Sequence, residues 1–114
     1  MIHVFIAAPY DGSGTQAANV TRAVRCASRL MQEGFAVYLP HLSHFWDIIS
    51  PHDRAWWLRQ SLAWVERSDV LLRLRGESPG ADDEVARAQE LGLPVFWTVP
   101  EVIDWAQRNR NAVT

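Results

Sequence analysis

The sequence predicts an α/β fold: a three-layer sandwich of the flavodoxin-like or Rossmann-like kind, with a parallel sheet of four or five strands and helices on both faces. Three observations predict it. Short apolar runs at residues 2–8, 35–39, 69–74 and 94–98 have the length and composition of strands buried on both faces. Between them, apolar residues recur at steps of three and four, the period of an amphipathic helix. The two kinds of segment alternate through mostly short loops, which calls for parallel pairing with right-handed crossovers.

Taken in order, the first strand ends at Pro9, and Asp11, Gly12, Ser13 and Gly14 follow as a loop. From about residue 15 to 33, Ala17, Val20, Val24, Ala27 and Met31 mark one helical face, with Gly34 as terminator. The second strand stops at Pro40, and PHLSHFWDIISPHD reads as a long loop to about Asp53. In the next helix Leu58, Leu62 and Val65 share a face, Trp57 and Trp64 flank it, and Trp56 points nearly opposite. The third strand leads through RGESPG into a helix over about 79–91, with Val85, Ala88 and Leu91 inward and Gly92 closing it. Ser78 reads as its N-cap, with Pro79 at the first helical position. A fourth strand and a final helix over 102–108 complete the chain, and the last residues look frayed.

At 114 residues the whole chain, 1–114, is expected to form a single domain. Hydrophobic residues at 48% exclude a disordered tail, and a net charge of -2 leaves no basic footprint for duplex nucleic acid. The lone Cys26 fits a reducing compartment. No apolar run reaches membrane-spanning length, and MIHVFIAAPY lacks the basic start of a signal peptide. A cytoplasmic protein without a membrane partner is expected. Six tryptophans point to a subunit interface or a ligand site for some of them.

In an open parallel sheet, ligands bind beyond the carboxyl ends of the strands. That rule selects residues 9–15, 41–53 and 75–84, where most of the unusual polar residues gather. Within SPGADDE, Glu84 lies in the early turns of a helix leaving a strand end, six residues after Ser78. A carboxylate so placed can attack an anomeric carbon, whose oxocarbenium-like transition state needs an anionic neighbour. The plainer reading is that Asp82, Asp83 and Glu84 complement the positive end of the helix dipole.

IAAPY, GFAVYLP, SDVLLRL and S-x-G-x-x-x-E running into A-x-x-L-G-x-P-V together resemble the nucleoside 2-deoxyribosyltransferase superfamily, above all its short bacterial and phage branches. The similarity covers roughly residues 2–97. It implies that Glu84 is the nucleophile that takes up the deoxyribosyl group. It also implies that Ser78, with Gly80 in the same motif, contacts the 5′ end of the nucleoside or its phosphate. Tyr10, matching the aromatic after the first strand, would line the sugar site or orient the glutamate. A homodimer or larger homo-oligomer, whose neighbours help to close the site, is implied as well. One position departs from the pattern. The resemblance calls for an aspartate eight residues before Asp69 to assist proton transfer to the leaving base, and this chain has Ser61 there. Serine is a poor general acid near neutral pH. Either another group (His44, His52, Asp47 or Asp53) supplies the proton, or the chemistry differs, or the domain binds without turnover.

His41, His44 and His52, with Asp47 and Asp53 among them, match no standard zinc spacing. They are read as lining a pocket, where imidazole can hydrogen-bond a base or a sugar hydroxyl, or as an ordinary polar loop; no metal and no cofactor are expected. YDGSGT matches neither the dinucleotide nor the Walker pattern; it is a glycine-rich turn from which Asp11 can reach a sugar. Phe45 and Trp46 are the candidates for stacking on a base, and Trp56 for a subunit contact. The leading function is an enzyme of the nucleoside or nucleotide N-glycosidic bond, either a deoxyribosyltransferase or a nucleoside 5′-monophosphate N-glycosidase. The alternatives are a non-catalytic nucleotide-binding or regulatory module, and a structural protein that uses its tryptophan-rich surface for assembly.

Overall fold

Alternate residues of the first strand serve different layers. In the computed structural model, which describes residues 1–11 and 14–113 and side chains through residue 109, this strand is β1, His3–Ala7. Val4 and Ile6 enter one buried cluster with Ala23, Ala27 and Leu30, while Phe5 and Ala7 enter a second with Val65, Ala81 and Ala88. Period-two alternation between two apolar layers is why the run looks continuous in sequence.

Strands β2 (Ala36–Tyr38), β3 (Val70–Arg73) and β4 (Val95–Phe96) complete a four-stranded sheet in the order β2-β1-β3-β4. Every pairing is parallel, with Phe5 opposite both Tyr38 and Leu71. Helices α1 (Gln16–Gln32) and α5 (Val99–Val113) cover one face; α3 (Arg54–Val65) and α4 (Pro79–Glu90) cover the other. The expected three-layer α/β sandwich is therefore the observed one. No helix among the described residues is long and apolar enough to cross a membrane.

Four expectations need correction. The buried stripe of α1 is Asn19, Ala23, Ala27 and Leu30, and Val24 and Met31 are exposed. Small Ala23 and Ala27 let the helix sit close to the sheet. Asn19 is tolerated inside because its Nδ2 donates to the Tyr10 carbonyl at 2.8 Å. In α4 the buried positions are Ala81, Glu84 and Ala88, whereas Leu91 is the exposed C-cap. The final helix starts three residues earlier than expected, at Val99, and runs on to Val113.

The largest difference is the segment after β2. It holds a 3₁₀ turn, Pro40–Leu42, and the helix α2, Ser43–Ile49. No residue of α2 is buried, so the sequence carries no apolar stripe by which to recognise it. Asp53 then caps α3, its Oδ1 accepting from Trp56 N at 2.8 Å. Gly12 and Ser13, the centre of the glycine-rich turn, lie outside the described residues.

Candidate functional site

A cavity of about 420 Å³ is walled by the segments that follow β1, β2 and β3. Its position is the one dictated by parallel topology, beyond the carboxyl ends of the strands. Tyr10, Asp11, His41, His44, Ser78, Gly80 and Glu84 all line it. Phe45 and Trp46 do not. Because residues 43–49 form a helix rather than a loop, positions 44, 47 and 48 share the cavity side and 45 and 46 turn away. Phe45 packs edge-on to His44, and Trp46 edge-on to Trp57. Both rings are largely exposed.

Ser78 starts α4 by accepting from Ala81 N at 3.1 Å, and Pro79 follows at the first helical position. This start places position 84 on the buried stripe of the helix, three residues after Ala81 and four before Ala88. Glu84 is 6% exposed. Burial pushes its carboxyl up to about 8, against the opposing pull of the Ser61 hydroxyl, which hydrogen-bonds it, and of the Arg73 guanidinium; Asp83 adds to the rise. At neutral pH the free protein thus holds Glu84 mainly as the acid. Burial raises the Tyr38 phenol too, and the nearby Glu84 adds to that.

Arg73 closes β3 and is almost fully buried. Its Nη1 donates to the Leu74 carbonyl, and its Nη2 donates to the Gly76 carbonyl at 2.8 Å and to Asp82 Oδ1 at 3.1 Å. The guanidinium also lies 5.5 Å from the centre of the Trp97 ring. It ties the 74–82 segment to the strand end. A single arginine inside the apolar run SDVLLRL was the signal in the sequence for this buried cation.

The opposite wall is a network of rings. His41 is buried and its Nε2–H donates to the Pro9 carbonyl at 2.8 Å. Burial holds its imidazole below the usual range, the Pro9 bond opposing and Arg22 contributing. His41 Nδ1 is left without a partner among the described residues. The Tyr10 hydroxyl and His44 Nδ1 share a hydrogen bond. Burial, then Asp47 and Asp11, raise the Tyr10 phenol and keep it neutral. Asp47 accepts from His52 N at 2.9 Å and from Trp57 Nε1 at 2.7 Å. These two bonds hold its carboxyl below the usual range, with His52 and His44 adding in the same sense. At the mouth, Asp11 pairs with Arg54 at 2.9 Å.

Several wall residues were not singled out as ligand contacts from sequence, among them Gln16, Ser43, Arg54, Trp57 and Leu58. None sits in a recognisable motif. Among the described residues no group of three or more His, Cys, Asp or Glu is arranged to hold a metal ion.

Residues 2–98 match a family described as a domain of unknown function, DUF7768. The chain belongs to that family. No curated protein matches this DUF7768 chain. Among solved structures it is similar to a 2-deoxyribosyltransferase from the psychrotolerant bacterium Bacillus psychrosaccharolyticus. The two superpose with a TM-score of 0.58 and 19% identity, over 82% of this chain and 69% of that one. At that identity the likeness is one of fold, and it supports the three-layer architecture described above.

Proposed function

We propose that this DUF7768 domain breaks the N-glycosidic bond of a nucleoside or nucleoside 5′-monophosphate, with Glu84 as the nucleophile. The observation that carries the reading is Glu84 itself: a carboxyl almost fully buried on an apolar helix stripe, yet part of the cavity wall. Burying an ionisable group at such a place is costly, and strongly shifted groups in clefts mark functional sites. The distant fold similarity to a 2-deoxyribosyltransferase points in the same direction.

In the reaction, an ionised Glu84 oxygen attacks C1′ and the bond to the base nitrogen breaks, the electron pair leaving with the base. Positive charge develops on the sugar in the transition state. A carboxylate held out of water stabilises that charge far more than one in solvent, so the energy spent on burial is returned where it speeds the reaction. Water then attacks C1′ of the glycosyl ester and regenerates Glu84, giving hydrolysis; an incoming base would give transfer. Ser78 and Gly80 meet the 5′ end of the sugar, and Tyr10, Asp11 and His41 surround the rest. The partly exposed Trp56 and the apolar surface of α2 suit contact with a second copy, and a homodimer or larger homo-oligomer acting in the cytoplasm belongs to this reading.

A nucleotide-binding module without turnover is the second reading, and Ser61 beside Glu84 is the observation that favours it. Chromatography of free base after incubation with a panel of ribo- and deoxyribonucleosides and their 5′-monophosphates separates the two. Base release that disappears in Glu84→Ala supports the enzyme. Binding of a panel member without release supports the module.

A further inference from the structure

We infer that His44 is the proton donor to the leaving base, held in place by Tyr10. The inference rests on the N-glycosidic reading above and adds the residue that completes it. A purine or pyrimidine expelled as an anion is a poor leaving group, so the nitrogen losing C1′, or another on the same ring, has to gain a proton as the bond breaks. The group beside Glu84 that would be nearest at hand is Ser61, whose hydroxyl already hydrogen-bonds Glu84 and is far too weak an acid for the task.

The polar residues on the facing wall can be sorted by what already holds them. Asp53 stands outside the cavity lining and is engaged as the N-cap of α3. Asp47 accepts two hydrogen bonds, from His52 N and Trp57 Nε1, which favour its ionised form and make it a poor donor. His52 lies flat on Trp56, ring centres 4.1 Å apart, and its Nε2 pairs with Ser50 Oγ at 3.3 Å. His41 spends its Nε2–H on the Pro9 carbonyl. His44 differs from all of them. It lines the cavity with Glu84, and its Nδ1 is fixed by the Tyr10 hydroxyl. With Nδ1 occupied, Nε2 carries the proton that moves.

The balance closes. Glu84 forms the C1′–O bond as the C1′–N bond breaks, the electron pair goes to the base nitrogen, and His44 protonates the base and becomes neutral. In the second step neutral His44 takes a proton from the attacking water, the Glu84–C1′ bond breaks, and both groups return to their starting states.

The test compares ordinary purine nucleosides with their 7-methylated forms, whose cationic base leaves neutral without being protonated. His44→Gln keeps a hydrogen-bonding side chain for Tyr10 but cannot give a proton at neutral pH. On ordinary substrates we expect it to lose at least about hundredfold in kcat, and on the 7-methylated ones to stay within about fivefold of the unmodified protein, since only proton donation is removed. Glu84→Ala should lose both. Should the methyl group not fit, a series of bases of graded acidity reads the same property: His44→Gln must make the rate depend more steeply on leaving-group acidity. Equal losses on both substrate types with an unchanged dependence, or no loss on either, would overturn the role of His44 while leaving Glu84 chemistry intact. Absence of base release by the unmodified protein from every substrate would overturn both.

Discussion

One wall of the cavity, built from the end of β3 and the first turns of α4, has a buried Glu84 backed by a buried Arg73, while Asp82 and Asp83 face solvent. The opposite wall, running from His41 to Trp57, leaves its polar groups partly or fully exposed, the buried His41 excepted. Arg73 and Glu84 are each less than 7% exposed; Asp11 and Arg54 pair in the open. The buried pair is suited to a step in which charge is created, because electrostatic interactions there are weakly screened. The opposite wall is suited to recognition and proton exchange, because its imidazoles and carboxylates share hydrogen bonds that can be rearranged at small cost.

The comparison breaks most sharply at Glu84. Glu84→Gln should abolish base release, a fall of at least about a thousandfold in kcat. It should also stabilise the protein in alkaline solution. The folded-state carboxyl titrates near 8, above its unfolded value, so the folded protein binds the extra proton. The stability this gives is complete below the unfolded value and is lost as pH rises through about 8. A glutamine never ionises, so thermal melts of the two proteins should agree near pH 5 and diverge by pH 9, with the variant higher by about 5 °C or more.

Arg73→Met is next. It removes the donor to the Leu74 and Gly76 carbonyls and a cation whose charge favours ionised Glu84. A loss of about 2–4 kcal/mol in chemical denaturation is expected, the range for breaking a buried charged network. The pH at which Glu84 ionises should move further up, read by the glutamate's own NMR titration.

How much of the Glu84 wall was legible in advance depends on what each residue signals locally. Ser78, Pro79 and Gly92 announce the ends of α4, and the carboxylate inside it was recognisable. Arg73 stood out only as a lone arginine in an apolar run; its partners, two carbonyls of the 74–76 segment and the Asp82 side chain of α4, depend on a loop path that the sequence does not state. The opposite wall was read less well. His41 and His44 were placed at the pocket, but Phe45 and Trp46 were put there on the assumption of a loop. A helix with no buried residue leaves no periodic trace, and only its three-dimensional setting shows which residues face inward. In α1 the apolar stripe at Val20, Val24 and Met31 competed with a second one through Ala23 and Leu30. Close packing of small residues on the sheet decided between them.

Smaller effects sharpen the contrast. Ser61→Ala removes the hydrogen bond that favours ionised Glu84, so kcat/KM at pH 7 should drop by about tenfold, as for loss of a hydrogen bond to a charged group, and recover as pH rises. Arg54→Ala breaks only the exposed pair with Asp11, and exposed pairs contribute little; its thermal midpoint should stay within measurement error of the unmodified protein.

The most direct measurement is mass spectrometry of the protein quenched in acid during turnover of its best substrate, followed by peptide mapping. A mass gain equal to the sugar less one water, on the peptide holding Glu84 and absent from Glu84→Gln, is the expected result. Base release with no sugar on that peptide, or with the sugar on a different residue, would contradict Glu84 as the nucleophile.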